Sequence, residues 1–160
     1  MGDTEKSGFR AAGMIATAIL TLLFSVTAGS YENNAMRFER LSTDDGLSQS
    51  SVPAIQQDQA GFMWFATETG LDRYDGINFK NYRNARGRDN SLSDDFVRGL
   101  DVATDGSVWI ATDGGGVSRW LPDGDSFVSW RHDPAIESSL ATDLIRTILA
   151  DPRGYVWIGT

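Results

Sequence analysis

Three tryptophans, Trp64, Trp109 and Trp157, recur at steps of 45 and then 48, and three other residue types keep the same steps. Gly61, Gly106 and Gly154 do so, as do Thr67, Thr112 and Thr160, and Leu47, Leu92 and Leu140. Within every copy the leucine precedes the glycine by 14 positions, the glycine precedes the tryptophan by 3, and the tryptophan precedes the threonine by 3. A period of this length held through three copies restricts the chain to repeat architectures, either propeller blades or helical hairpins.

The pattern inside a copy selects strands. A first β-prone run at 51–57 recurs at 96–102 and 144–150. Turn residues follow each, ending on the periodic glycine, whose positive φ a tight hairpin needs. A nearly continuous apolar run then carries the tryptophan, at 62–67, 107–112 and 155–160. Continuous apolarity marks a strand covered on both faces. The residue after the bulky pair is always small (Ala66, Ala111, Gly159), which predicts a close approach by a neighbouring sheet. A third strand is predicted at 70–74 and, after one inserted glycine, at 116–120. Asp75-Gly76 and Asp123-Gly124 mark the next hairpins, and fourth strands follow at 79–82 and 127–130. Four short strands joined by Gly-rich turns make a β-propeller blade.

The expected fold class is therefore all-β, an incomplete propeller of about two and a half blades. Residues 36–46 form an N-terminal closing outer strand (36–41) with its loop. Blade 1 spans 47–91, blade 2 spans 92–139, and the first half of blade 3 spans 140–160. A closed ring takes roughly 4–8 blades, so on this reading the chain is the N-terminal part of a longer protein. Such units bury their faces only against neighbours. A urea melt of residues 29–160 alone is expected to lack a single sharp cooperative transition.

Ahead of the repeats, residues 11–31 contain no charge, and 11–28 form an apolar, helix-compatible run after Lys6 and Arg10. Val26-Thr27-Ala28 offers a cleavage site after Ala28, so residues 1–28 read as a hydrophobic signal helix. An uncleaved signal anchor is one alternative, because the run is just long enough to span a bilayer, and a buried soluble helix is another. Residues 29–35 are a linker. The signal and anchor readings both export everything after residue 31.

Composition narrows the chemistry. The 160-residue chain has no cysteine, one histidine (His132) and a net charge of −8. No disulfide framework and no thiolate zinc site is possible. An acidic chain lacks the electrostatic footprint for nucleic acid. Positions 1–28 hold two acids and two bases, so the whole −8 belongs to the remainder.

Several side chains suggest chemistry and have a plainer reading beside it. The periodic tryptophans could be sugar-stacking platforms, but repetition in register favours blade packing, as it does for Trp120 and Trp130 on outer strands. Asp44-Asp45 and Asp94-Asp95 could pair as acid and base or hold calcium. Neighbouring loop carboxylates point apart, which favours turn initiation. His132-Asp133 sits in an inter-blade loop and reads as surface. Asp113-Gly114-Gly115-Gly116 has no following Lys-Ser/Thr, so it reads as a turn rather than a phosphate loop. No catalytic, metal or cofactor-binding residue is assigned, and the ligand-contacting residues are left unassigned.

The string Val52-x-x-Ile55-x-x-Asp58-x-x-Gly61-x-x-Trp64-x-x-Thr67-x-x-Gly70-Leu71-x-x-Tyr74 resembles the two-component regulator propeller repeat. Phe38-x-x-Leu41-x-x-x-x-Gly46-Leu47-Ser48 resembles the usual start of such a region. The second copy departs from the pattern at Ala103, where aspartate is preferred, and at the extra Gly115. The resemblance implies a periplasmic ligand-sensing segment of a membrane-bound sensor histidine kinase or diguanylate cyclase. The segment itself would be non-catalytic, with the kinase or cyclase output beyond residue 160. Implied partners are a small-molecule or oligosaccharide ligand, the remainder of its own propeller, the membrane, and a second copy in a homodimer. Two other readings stand beside it: part of an exported propeller enzyme of lyase or glycosidase type, or an interaction scaffold.

Overall fold

The computed structural model describes residues 36–160. The signal helix expected over 1–28 and the linker at 29–35 lie outside them. Residues Glu39–Thr160 form one unit built of ten strands. Among the described residues no helix is long and apolar enough to cross a membrane.

Blade 1 is an antiparallel meander of β1 (Ala54–Gln57), β2 (Met63–Thr67), β3 (Gly70–Tyr74) and β4 (Phe79–Tyr82). Blade 2 repeats it with β5 (Val97–Val102), β6 (Val108–Thr112), β7 (Val117–Leu121) and β8 (Ser126–Trp130). A two-stranded sheet, β9 (Thr147–Ala150) with β10 (Val156–Gly159), begins a third. Each innermost strand starts up to three residues later than its β-prone run, because those first residues carry the chain in from the preceding loop. The inner strands stand side by side, with β5 packed against both β1 and β9. Residues 36–41, expected to supply a closing outer strand, carry no strand. An outer strand needs a free third strand, and among the described residues β3 and β7 already hold β4 and β8.

The periodic residues have separate mechanical jobs. Thr67 Oγ1 donates to Gly70 O (2.8 Å) and accepts from Thr69 N, which closes the β2–β3 turn. Thr112 Oγ1 does the same for the β6–β7 turn, donating to Gly116 O (2.8 Å) and accepting from Gly115 N, so the inserted glycine is absorbed. Gly116 has φ +73°, and a Cβ there would lie 2.2 Å from the Trp130 carbonyl oxygen. Gly116→Ala therefore adds left-handed strain to a backbone clash. It is expected to destabilise blade 2 by about 2 kcal/mol or more. Amide exchange across β7 and β8 checks this, and an unchanged rate would contradict it.

The first core lies between blades 1 and 2. Trp64 is fully buried and stacks on Tyr82 at 5.8 Å within its own blade. From blade 2, Trp120 closes on Trp64 at 4.7 Å and Phe127 meets the Tyr82 edge at 5.5 Å. Asp58 fixes the indole: Oδ2 accepts Trp64 Nε1–H (2.8 Å), and Oδ1 accepts the N–H groups of Ala60 and Phe62. In the third copy Asp151 holds Trp157 Nε1 more loosely, at 3.5 Å. In the second copy alanine stands at 103, and the turn is held by Asp105, which accepts from Ser107 N and Oγ and pairs with Arg119. A second core joins blade 2 to β9 through Ala111, Val117, Ile145 and Ile148.

The two blades are also clasped by charge. Asp125 in the β7–β8 turn accepts from Tyr82 OH (2.7 Å) and Trp120 Nε1 (2.9 Å), and it pairs with Lys80. Partial burial pushes its carboxyl up, but bonds from Lys80, Tyr82 and Trp120 outweigh this and hold it at about 2. Because the folded value lies below the ordinary one, the stabilisation is complete above about pH 4 and is lost as pH falls toward 2. Asp125→Asn is expected to lower the unfolding midpoint at pH 6 and to shallow its fall between pH 5 and pH 2. Some fall remains, because Asp105 and Asp151 are also held low. An equally steep fall in the variant would exclude the clasp.

Candidate functional site

In an antiparallel meander, alternate connections lie at opposite ends. The turns 68–69 and 113–116 therefore share one end with the inter-blade loops 83–96 and 131–146. Contacts agree: Gly114 N and Gly116 N both donate to Asp143 O. This loop end carries the concave surfaces considered as a binding site.

The side chains that suggested chemistry in the sequence are mostly turn fittings here. Asp45 caps the 3-10 turn Thr43–Asp45, and bonds from Ser42 hold its carboxyl low. Asp94 accepts from Phe96 N, while Asp95 accepts from Asn84 N, so the pair points apart. His132 Nδ1 donates to Leu140 O (2.6 Å), and Asp133 Oδ1 accepts from Ala135 N. His132 and Asp133 thus serve the loop backbone separately. Residues Asp113–Gly116 form the β6–β7 turn, with Asp113 paired to Arg98. Among the described residues no group of His, Cys, Asp or Glu is placed to hold a metal ion.

A buried polar cluster that the sequence did not announce ties the Leu-Ser step to each blade. Asp72 is fully buried; Oδ2 accepts Ser48 N–H (2.7 Å), and Oδ1 accepts Ser48 Oγ (2.6 Å) and Asn81 Nδ2 (2.7 Å). In blade 2 the register equivalents are Ser93, Ser118 and Ser129, bonded to one another. The signal was present in Gly46-Leu47-Ser48 and Leu92-Ser93. The partners, however, are distant in the chain: Asp72 stands 24 positions beyond Ser48, and Ser118 stands 25 beyond Ser93.

Two clefts open at or beside the loop end. One, of about 550 Å³, lies within the 84–93 loop and is lined by Arg86, Arg88, Arg131, Asn84 and Ser91 among others. The other, of about 740 Å³, runs along the face of blade 2 beside β10, floored by Trp109 and Trp130. Those two rings stack at 5.2 Å with planes 21° apart, repeating the Trp64–Tyr82 pair at 5.8 Å and 20°. The difference is their cover. The Trp64–Tyr82 stack lies beneath Trp120 and Phe127, whereas Trp130 remains 43% exposed, because the described part of the third blade ends at its second strand.

Four-stranded meanders set side by side through their inner strands, with a tryptophan locked between successive sheets, define a β-propeller repeat protein. The family described as two component regulator propeller matches residues 46–69 and 139–160, the leucine-to-threonine stretches of the first and third copies. It is 46% identical over 65 residues to histidine kinase P4 of Formosa agariphila, a match that covers 39% of this chain and 5% of that protein. Its fold is similar, with a TM-score of 0.70 and 29% identity, to the crystal structure of the extracellular domain of a protein described as a hybrid two component system from B. thetaiotaomicron. That likeness covers 76% of this chain and 17% of the solved chain. The chain thus spans only a small part of the relatives that it matches.

Proposed function

We propose that this chain is the N-terminal part of an exported sensor region of a two-component signalling protein. The observation that carries the reading is the repeat itself: blades in register, matched by the family profile and similar to a solved extracellular domain of such a system. The likeness to a histidine kinase, and the small share of each relative that is covered, support an output module in a longer protein. The apolar 11–28 run supports export, with residues after 31 on the periplasmic side. The ring closes with further blades, whose outer strands cover the Trp109–Trp130 floor as Trp120 and Phe127 cover the Trp64–Tyr82 stack. A ligand binds at the loop end, where inter-blade loops present side chains on a rigid scaffold. It transmits only by favouring one arrangement of the region over another.

Alkaline phosphatase, active only outside the cytoplasm, tests the export step when fused after residue 160. The fusion is expected to be active, and deletion of residues 11–28 is expected to abolish that activity. An inactive fusion of the intact chain would overturn the reading.

A further inference from the structure

The chain has eight more acids than bases, yet three arginines line one cleft and, among the described residues, none of them holds a carboxylate. Elsewhere Lys80, Arg98, Arg119 and Arg153 each hold an aspartate. Arg131 instead donates its Nη2 to the Ser93 carbonyl (2.8 Å). One acid, Asp89, lines the same cleft. The neighbouring Asp94 and Asp95 are turned to backbone N–H groups. The three side chains are exposed along one cleft, so their guanidinium donors stand open to an anion from solution.

The cleft is also held in shape. Asn84 Nδ2 donates to both Leu92 O (2.8 Å) and Ser93 O (2.9 Å), pinning the two ends of the loop together. Ser91 Oγ accepts from Ala85 N (3.0 Å) and donates to Arg88 O (2.9 Å), and Arg88 N donates to Ala85 O. The backbone that carries Arg86 and Arg88 is therefore fixed before any ligand arrives. Pre-organisation of this kind reduces the ordering that binding must impose. A volume of about 550 Å³ suits a small organic molecule rather than a bare ion.

From this we infer that the 84–93 loop and Arg131 form a binding site for a small organic anion, held through its oxyanion group by Arg86, Arg88 and Arg131. The inference rests on the sensor reading for its purpose and on the cleft alone for its chemistry. Planar guanidinium forks match carboxylate and sulfate oxygens in pairs, which lysines would not.

Titration of the full-length protein with citrate and with inorganic sulfate, at ionic strength fixed with chloride, tests it through the backbone amide signals of residues 85–93. Saturable shifts confined to that loop are expected with at least one probe, and the tighter probe identifies carboxylate or sulfate as the preferred group. R86Q/R88Q is expected to weaken binding at least tenfold, while R153Q, at the opposite end of the blades, leaves it unchanged. Both arginines are exposed, so the double variant is expected to keep the fold, and unaltered amide signals outside the loop verify this. No saturable shift with either probe, or equal binding by R86Q/R88Q, would overturn the site. Binding that leaves autophosphorylation of the full-length protein unaltered would count against the sensory role and not against the site. An inactive phosphatase fusion, by contrast, would count against export alone.

Discussion

Trp64→Ala is expected to weaken the junction of blades 1 and 2 by about 3–5 kcal/mol. The ring is fully buried, stacked on Tyr82, capped by Trp120 and bonded at Nε1 to Asp58. Truncation leaves a cavity between two sheets that their inner-strand spacing holds apart, and it strips Asp58 of a donor. Trp109→Ala, at the equivalent position, is expected to cost less than half as much in this chain. Trp109 is only half-buried, one side of its stack with Trp130 faces solvent, and alanine at 103 gives its indole no carboxylate. Where a third blade covers that face, the two costs are expected to converge. Native-state amide exchange at Phe65 and Ile110 distinguishes them, with acceleration by about two to four orders of magnitude for the first variant. Equal effects in this chain would contradict the account of cover.

Asp72→Ala is expected to destabilise blade 1 by about 2 kcal/mol or more, since each buried donor left without an acceptor costs about 1–3 kcal/mol. Two donors lose their acceptor at once, Ser48 N and Ser48 Oγ, while Asn81 Nδ2 loses Asp72 but keeps Gly46 O and Ser48 Oγ. Asp72→Ser is expected to recover part of the loss, because blade 2 meets the same need with Ser118 between Ser93 and Ser129. The thermal midpoint and the exchange rate of the Ser48 amide measure both. If serine proved no better than alanine, the cluster would not be what fastens the Leu-Ser step to β3.

The strands and turns of both blades were legible because each depends on local residues. The apolar runs around Trp64 and Trp109 became β2 and β6, both largely buried, and the periodic glycines ended hairpins with positive φ. The same run around Trp157 became β10, yet Trp157 is 59% exposed. Its sequence is equally apolar; burial there depends on neighbours that no local pattern supplies. At Gly159 the close neighbour is the paired strand and not another sheet: a Cβ there would meet Thr147 Cγ2 of β9 at 2.6 Å. Asp58 stood in the repeat string, but its bond to the indole was not visible there. Arg86 and Arg88 were visible as neighbours in one loop. Their lack of a carboxylate was not, because it depends on which aspartates the fold turns toward backbone N–H groups.

By itself the sequence determined the period, the four-stranded unit and the polarity of each strand, since these follow from side-chain alternation and local turn stereochemistry. Only the tertiary structure decided which of the equivalent tryptophans is enclosed, where Asp72 and Asp125 find their donors, and which arginines stand together without a carboxylate. Those outcomes depend on groups far apart in the chain, such as Ser48 with Asp72 or Tyr82 with Asp125. Packing between sheets, rather than local propensity, brings such groups together.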